Sequence, residues 1–178
     1  MKSLNIALLG YGKMGHIIES MAAKHGHKIA CIIDNENDWH STAESIWRKV
    51  DVAIEFSTPD TVVANIEKCF DINVPIVVGT TGWNAAAEQL RKRCEKENLS
   101  LFHSSNFSIG VYVFMQAARF LSEKIPSQYK PSISETHHIH KLDKPSGTAL
   151  TLAHKAFDGG INSAGFTADT VPIESIRE

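Results

Sequence analysis

Apolar residues in this chain fall into short runs, separated by segments whose apolar positions recur three and four apart. That alternation predicts strands and helices in turn. Leu4 to Leu9 is one such run, and beyond Gly10, Gly12 and Gly15 the positions Ile17, Ile18, Met21 and Ala22 keep helical spacing to about Gly26. Lys28 to Ile33 reads as a second strand, Val50 to Phe56 as a third, Pro75 to Val78 as a fourth and Leu99 to Phe102 as a fifth. Ser57-Thr58-Pro59-Asp60 offers a hydroxyl for an N-cap and a proline for a first turn, so a helix is predicted to start there. Ala85 to Asn98 is the helix ahead of the fifth strand. Elements alternating at this spacing build a parallel, doubly wound α/β sheet of the Rossmann type.

The second part of the chain changes character. Ser108 to Ile125 is a long apolar-rich helix, with Val111, Phe114, Met115, Ala118 and Leu121 expected in a core or at a domain junction. Pro126 closes it, Pro131 to Thr136 reads as a strand, and a helix runs from Ser146 to about Phe157. Gly159-Gly160 opens a loop of small residues, and Val171 to Arg177 begins another strand.

Composition narrows the function classes. A formal charge of −2 gives no global attraction to nucleic acid or to acidic membrane surfaces, so any anion recognition is local. The opening apolar run is too short for a signal peptide, and no stretch approaches membrane-spanning length. Cys31, Cys69 and Cys94 are far apart, with no C-x-x-C, which suits reduced thiols in a cytoplasmic protein.

Three places carry candidate chemistry. Gly10, Gly12 and Gly15 have the G-x-G-x-x-G spacing of a dinucleotide turn, in which backbone amides approach a pyrophosphate at a helix N-terminus; Lys13 and Met14 lie within it. Asp34 closes the second strand, where a carboxylate bonds ribose hydroxyls; a loop carboxylate that caps the next segment is the simpler alternative. Asn35 stands where a cation would be needed for a 2′-phosphate, so NADH is expected, with NADPH possible through Lys13. Second, strands four and five end in Gly79-Thr80-Thr81-Gly82 and Ser104-Ser105-Asn106-Phe107, on the edge where such sheets bind ligands.

Third is Glu135 to Leu150, ETHHIHKLDKPSGTAL. A Ser-Gly-Thr turn entering a helix presents unpaired N–H groups to an anion, Lys141 and Lys144 add charge, and the histidines add groups that titrate near neutrality. If the strand continues, period two places His137, Ile139 and Lys141 on one face and His138 and His140 on the other. A solvated strand end is the plainer alternative. A metal site is disfavoured, because no cysteine or carboxylate stands at zinc spacing.

E-x-HHxxK-x-D-x-PSGTAL resembles the signature of the 4-hydroxy-tetrahydrodipicolinate reductase (dihydrodipicolinate reductase) family, and GTTGW and SSNFS resemble segments that line its cofactor. One departure is Lys144, where many members carry a small residue. The resemblance spans Asn5 to Arg177 and implies a dinucleotide-binding domain over residues 1–107 and a smaller α+β domain, for substrate binding and oligomerisation, over 108–178. It implies reduction of a cyclic imine dicarboxylate in the diaminopimelate and lysine pathway, with Gly79, Thr80, Thr81 and Ser104 to Phe107 at the nicotinamide. His137 would be the acid and Lys141 a second proton donor, while His138, Lys141, Gly147 and Thr148 would hold a substrate carboxylate. Family members continue past this point and form homotetramers. The substrate domain is therefore expected to be shortened, with Pro131 to Thr136 and Val171 to Arg177 lacking sheet partners and tetramer assembly impaired. Two other readings share the glycine turn: another NAD-dependent dehydrogenase of amino-acid metabolism, and an inactive nucleotide-binding fragment.

Overall fold

The computed structural model describes residues 2–126, 128–139, 141, 143–157 and 165–178; His140, Leu142 and Gly159-Gly160 lie outside them. Two compact units are present, Met1–Ser104 and Ser105–Glu178.

In the first unit, β1 (Asn5–Leu9), β2 (Lys28–Ile33), β3 (Val52–Glu55), β4 (Ile76–Val78) and β5 (Leu101–His103) form one sheet in the order β2-β1-β3-β4-β5. Every pairing is parallel. The helices are α1 (Lys13–Lys24), α2 (Glu36–Ser41), α3 (Glu44–Trp47), α4 (Val62–Asp71) and α5 (Asn84–Glu97). Both sheet faces are covered, which is why the strands read as unbroken apolar runs rather than as alternation. On β1, Ala7 and Leu9 join Ile66, Phe70, Ile76 and Leu90 in one core, while Ile6 and Leu8 join Ala22 in the other.

Strand β2 spans its predicted run in full, while β1, β3 and β4 lose one to three terminal residues and β5 is shifted to end at His103. One other difference has a clear cause. The Ser57 N–H donates to the buried Glu55 carboxylate at 3.0 Å, and the Ser57 hydroxyl bonds the same oxygen. Ser57 is thereby held in a turn rather than serving as a cap, and α4 begins at Val62, not at Ser57-Thr58-Pro59-Asp60. The polar stretch after β2 folds as α2 and α3, because Trp39 and Trp47 stack with centroids 4.8 Å apart and Trp47 is buried against the sheet. The three thiols are packing groups: Cys69 is buried, and burial and then the Glu55 carboxylate push its pKa well up.

The second unit contains α6 (Ile109–Lys124), β6 (Ile133–His137), α7 (Gly147–Phe157) and β7 (Ile173–Arg177). The two strands do not lack partners as expected: they pair with each other in parallel, from Ile133 opposite Ile173 to His137 opposite Arg177. Helix α6 meets α7 through Ala118 and Ser122, whose hydroxyl bonds the Ala156 carbonyl. Because α7 offers mainly alanines there, the contact stripe is narrow, and Phe114 and Leu121, expected in a core, remain exposed. No helix among the described residues is long and apolar enough to cross a membrane.

Candidate functional site

In the first unit the sheet changes direction between β1 and β3, and at such a switch point the carboxyl ends of the strands leave a crevice. The glycine turn sits on it. Gly10 has φ +87, and a Cβ there would lie 2.5 Å from the Phe56 carbonyl oxygen; at Gly15 it would lie 2.6 Å from the Gly10 carbonyl oxygen. A Cβ on Gly12, the N-cap of α1, would meet nothing within 4 Å. The turn is thus packed hard against the protein on two sides and open at the helix N-terminus, where no side chain caps the free amides. That is the arrangement an anion needs.

Asp34 ends up beside this turn, its Oδ1 accepting the Tyr11 N–H at 2.7 Å. It lines a cavity of about 170 Å³ with Asn35, Glu36, Trp39, Thr61 and Asn65. Asn35 is committed to the capping box of α2, exchanging bonds with Asn37 and Asp38. The nearby ammonium of Lys68 lies 2.5 Å from Glu36, which also faces His40 at 3.4 Å. A second cavity, of about 300 Å³, is lined by Met14, Phe56, Pro59, Gly79, Thr80 and Thr81. Its wall includes the buried Thr80 Oγ1, which has no hydrogen-bond partner among the described residues, as is also true of Glu55 Oε2 at the end of the adjacent strand. Two cavities, an open glycine turn and a buried donor-acceptor without a partner fit a bound dinucleotide. A larger hollow of about 530 Å³ is bordered by Trp47, Arg48 and Asp71 and by none of the glycine-turn residues.

Ser104 closes β5 of this unit, its N–H bonded to the Val78 carbonyl. Ser105, Asn106 and Phe107 open the second unit, where Asn106 Oδ1 accepts the Ser108 N–H at 2.7 Å ahead of α6.

The histidine stretch is organised by carboxylates that sequence reasoning passed over. On β6, Glu135 and His137 share the covered face with Ser175 and Arg177 of β7. Glu135 accepts the Ser146 N–H at 2.8 Å, the Ser146 hydroxyl and the Ser175 hydroxyl at 2.7 Å, and faces Arg177 at 3.7 Å. Desolvation by itself would raise its pKa. The donors from Ser146 and Ser175, with His137, outweigh that and hold it at about 2.

Strand geometry ends at His137, whose carbonyl accepts the Glu178 N–H, and period two does not persist to Lys141. The chain instead turns, with the Lys141 N–H donating to the His138 carbonyl. The Lys141 ammonium lies 2.7 Å from Asp143 Oδ1, and this ammonium is the main reason the Asp143 pKa is lowered. Arg177 holds the same loop through the carbonyls of Lys141, at 3.3 Å, and Asp143, at 2.5 Å.

Ser146 caps α7 by accepting the Ala149 N–H, and Asp143 takes the Gly147 N–H at a long 3.4 Å. Thr148 keeps its N–H and hydroxyl free of partners among the described residues. It offers the open end of the turn to an anion. Among the described residues no three His, Cys, Asp or Glu side chains group as metal ligands.

Both units match known proteins. Residues 4–107 match the family described as dihydrodipicolinate reductase, N-terminus, and residues 110–178 match dihydrodipicolinate reductase, C-terminus. The chain belongs to the dihydrodipicolinate reductase family. Among similar proteins, the 4-hydroxy-tetrahydrodipicolinate reductase of Christiangramia forsetii is 38% identical over 98% of this chain and 75% of its own length. That of Pelagibacter ubique is 31% identical over 89% of the chain and 65% of its own length. A dipicolinate-bound dihydrodipicolinate reductase from Paenisporosarcina sp. TG-14 superposes with a TM-score of 0.69 at 25% identity, covering 99% of this chain and 79% of that one.

Gly12→Ala is expected to leave the thermal transition unchanged while weakening NADH binding at least about tenfold, the equivalent of ~1.4 kcal/mol. Gly10→Ala should instead lower the transition temperature, since its methyl has no space; circular dichroism melts and fluorescence titration separate the two outcomes. Glu135 has a folded pKa of about 2, below its ordinary value, so its ionisation stabilises the fold above about pH 4.3 and that contribution is lost as pH falls toward 2. Urea midpoints measured between these pH values should fall less steeply in Glu135→Gln than in the parent.

Proposed function

We propose that this chain catalyses the reaction for which its relatives are named, reduction of 4-hydroxy-tetrahydrodipicolinate or its dehydrated form to tetrahydrodipicolinate. The first unit serves as the nucleotide-binding part and the second as the substrate-binding part. The observation that carries this reading is the turn at Ser146-Gly147-Thr148, with unpartnered Thr148 donors at a helix N-terminus, in the same unit as His137 and Lys141.

A reduced nicotinamide, when bound, supplies the hydride. The chain's own residues then have three tasks. Thr148, through its N–H and hydroxyl, binds one carboxylate of the substrate, with the Gly147 N–H beside it and the side chains of His138 and Lys141 drawn to the same anion. His137 gives a proton from its imidazole to the ring carbon next to the one that takes the hydride. Two electrons and two hydrogens are thereby added across one double bond. Lys141, steadied by Asp143, keeps positive charge where the ring becomes electron-rich, and is the alternative source of the single proton should His137 not supply it.

NADH is the preferred donor on this reading. Asp34 stands at the end of β2, Asn35 is used up as a cap, and Glu36 neutralises the ammonium of Lys68, so a 2′-phosphate would meet carboxylates without a free cation beside them. Lys13, exposed in the first turn of α1, is the group that would oppose this preference.

With freshly generated dihydrodipicolinate, His137→Gln is expected to lower kcat about a hundredfold, the usual minimum for losing a general acid, and to leave the NADH dissociation constant unchanged. Asp34→Ala should do the reverse. Equal effects of both changes on both parameters would refute the assignment. Comparing kcat/KM for the two donors should favour NADH by at least about tenfold, and a clear preference for NADPH would overturn the cofactor reading.

A further inference from the structure

His137 can deliver a proton to one particular carbon only if its ring is fixed, and the side chain that faces the ring's inner edge is Glu135. The two residues are next-but-one neighbours on the covered face of β6. Glu135 Oε2 lies 3.6 Å from His137 Nδ1, too far for a formed hydrogen bond, and Nδ1 is buried with no other partner among the described residues. The carboxylate cannot swing away. Oε1 is held by the Ser146 N–H and the Ser175 hydroxyl, Oε2 by the Ser146 hydroxyl, and Arg177 lies 3.7 Å off.

A buried ring nitrogen facing a fixed anion has two choices. A lone pair turned toward the carboxylate is repelled, whereas an N–H is attracted, so the hydrogen belongs on Nδ1 and the exchangeable site becomes Nε2. The gap of a few tenths of an ångström beyond bonding distance is of the kind that closes when a ligand tightens a site.

We propose that Glu135 is a positioning residue for the reaction: it keeps a hydrogen on Nδ1 of His137, so that the imidazolium, protonated at both nitrogens, gives its proton from Nε2 and is left as the neutral Nδ1–H tautomer. Because the same carboxylate holds Ser146, the cap of α7, it also sets the distance between the proton donor and the carboxylate-binding turn. One charge thereby aligns two functions contributed by separate segments. This role rests on His137 being the proton donor.

The test uses the full chain labelled with ¹⁵N-histidine, with pH raised until the ring signals stop moving, so that the neutral form is the one observed. Long-range ¹H–¹⁵N spectra report the tautomer, with the His137 signals identified by their loss in His137→Gln. The expected result is the Nδ1–H form in the parent, a shift away from it in Glu135→Gln, and a fall in kcat of about a hundredfold in that variant with NADH affinity retained. An Nε2–H tautomer in the parent overturns the inference without any variant having to fold. So does a Glu135→Gln enzyme with kcat within about threefold of the parent while His137→Gln is inactive. Full turnover in His137→Gln would sink the proton-donor reading itself, and the catalytic use of Glu135 with it.

Discussion

The close approach of the β1–α1 turn to the end of β3 is the constraint on which the first unit depends. No side chain fits on Gly10 beside the Phe56 carbonyl, and none on Gly15 beside the Gly10 carbonyl. Glycine at both positions lets a helix N-terminus and two central strand ends share one junction, and leaves Gly12 facing open space. The parallel pairing of β1 with both β2 and β3 brings Asp34 to one side of that junction and Phe56 to the other. A phosphate-sized opening next to a carboxylate is then a consequence of strand order. It needs no separate device.

The second unit solves a different electrostatic problem. Binding a dicarboxylate calls for cations and free donors, yet cations gathered without counter-charges repel one another and are poorly fixed. Here Glu135 and Asp143 supply the counter-charges. Glu135 spends its acceptors on Ser146, Ser175 and the neighbourhood of Arg177, and Asp143 holds Lys141 and reaches Gly147. Thr148 is what remains unpaired among the described residues, one residue inside the helix. The carboxylates therefore decide which donors are left for an anion, by occupying the others.

The two units also differ in how they are held together. The first has apolar layers on both sides of a five-stranded sheet, whereas the second has a narrow alanine-rich contact between α6 and α7 and a two-stranded sheet tied by polar bonds at one end. Stability in the second unit leans correspondingly more on the Glu135 network. Acid that protonates this carboxylate removes the reason for Ser146, Ser175 and Arg177 to converge. On the role proposed for Glu135, structure and chemistry would rest on the same group.

Much of the first unit was legible from the sequence, because its determinants are local or periodic. A parallel strand covered on both faces must be an apolar run, and a turn that passes against backbone must be glycine, so β1 to β5 and Gly10 and Gly15 announce themselves, with Gly12 recognised by its spacing. The histidine stretch also drew attention to His137, Lys141 and Thr148 by residue type alone. What the sequence could not show is which groups neutralise which. The partners of Glu135 come from Ser146 and from Ser175, 40 residues away, and only the pairing of β6 with β7 brings them together. In the same way Ser57 was legible as a helix cap until the buried Glu55 claimed it. Local spacing determined the elements and the candidate chemistry, while tertiary structure decided which hydrogen bonds were spent, because a donor's partner is set by distance in space and that distance is not written along the chain.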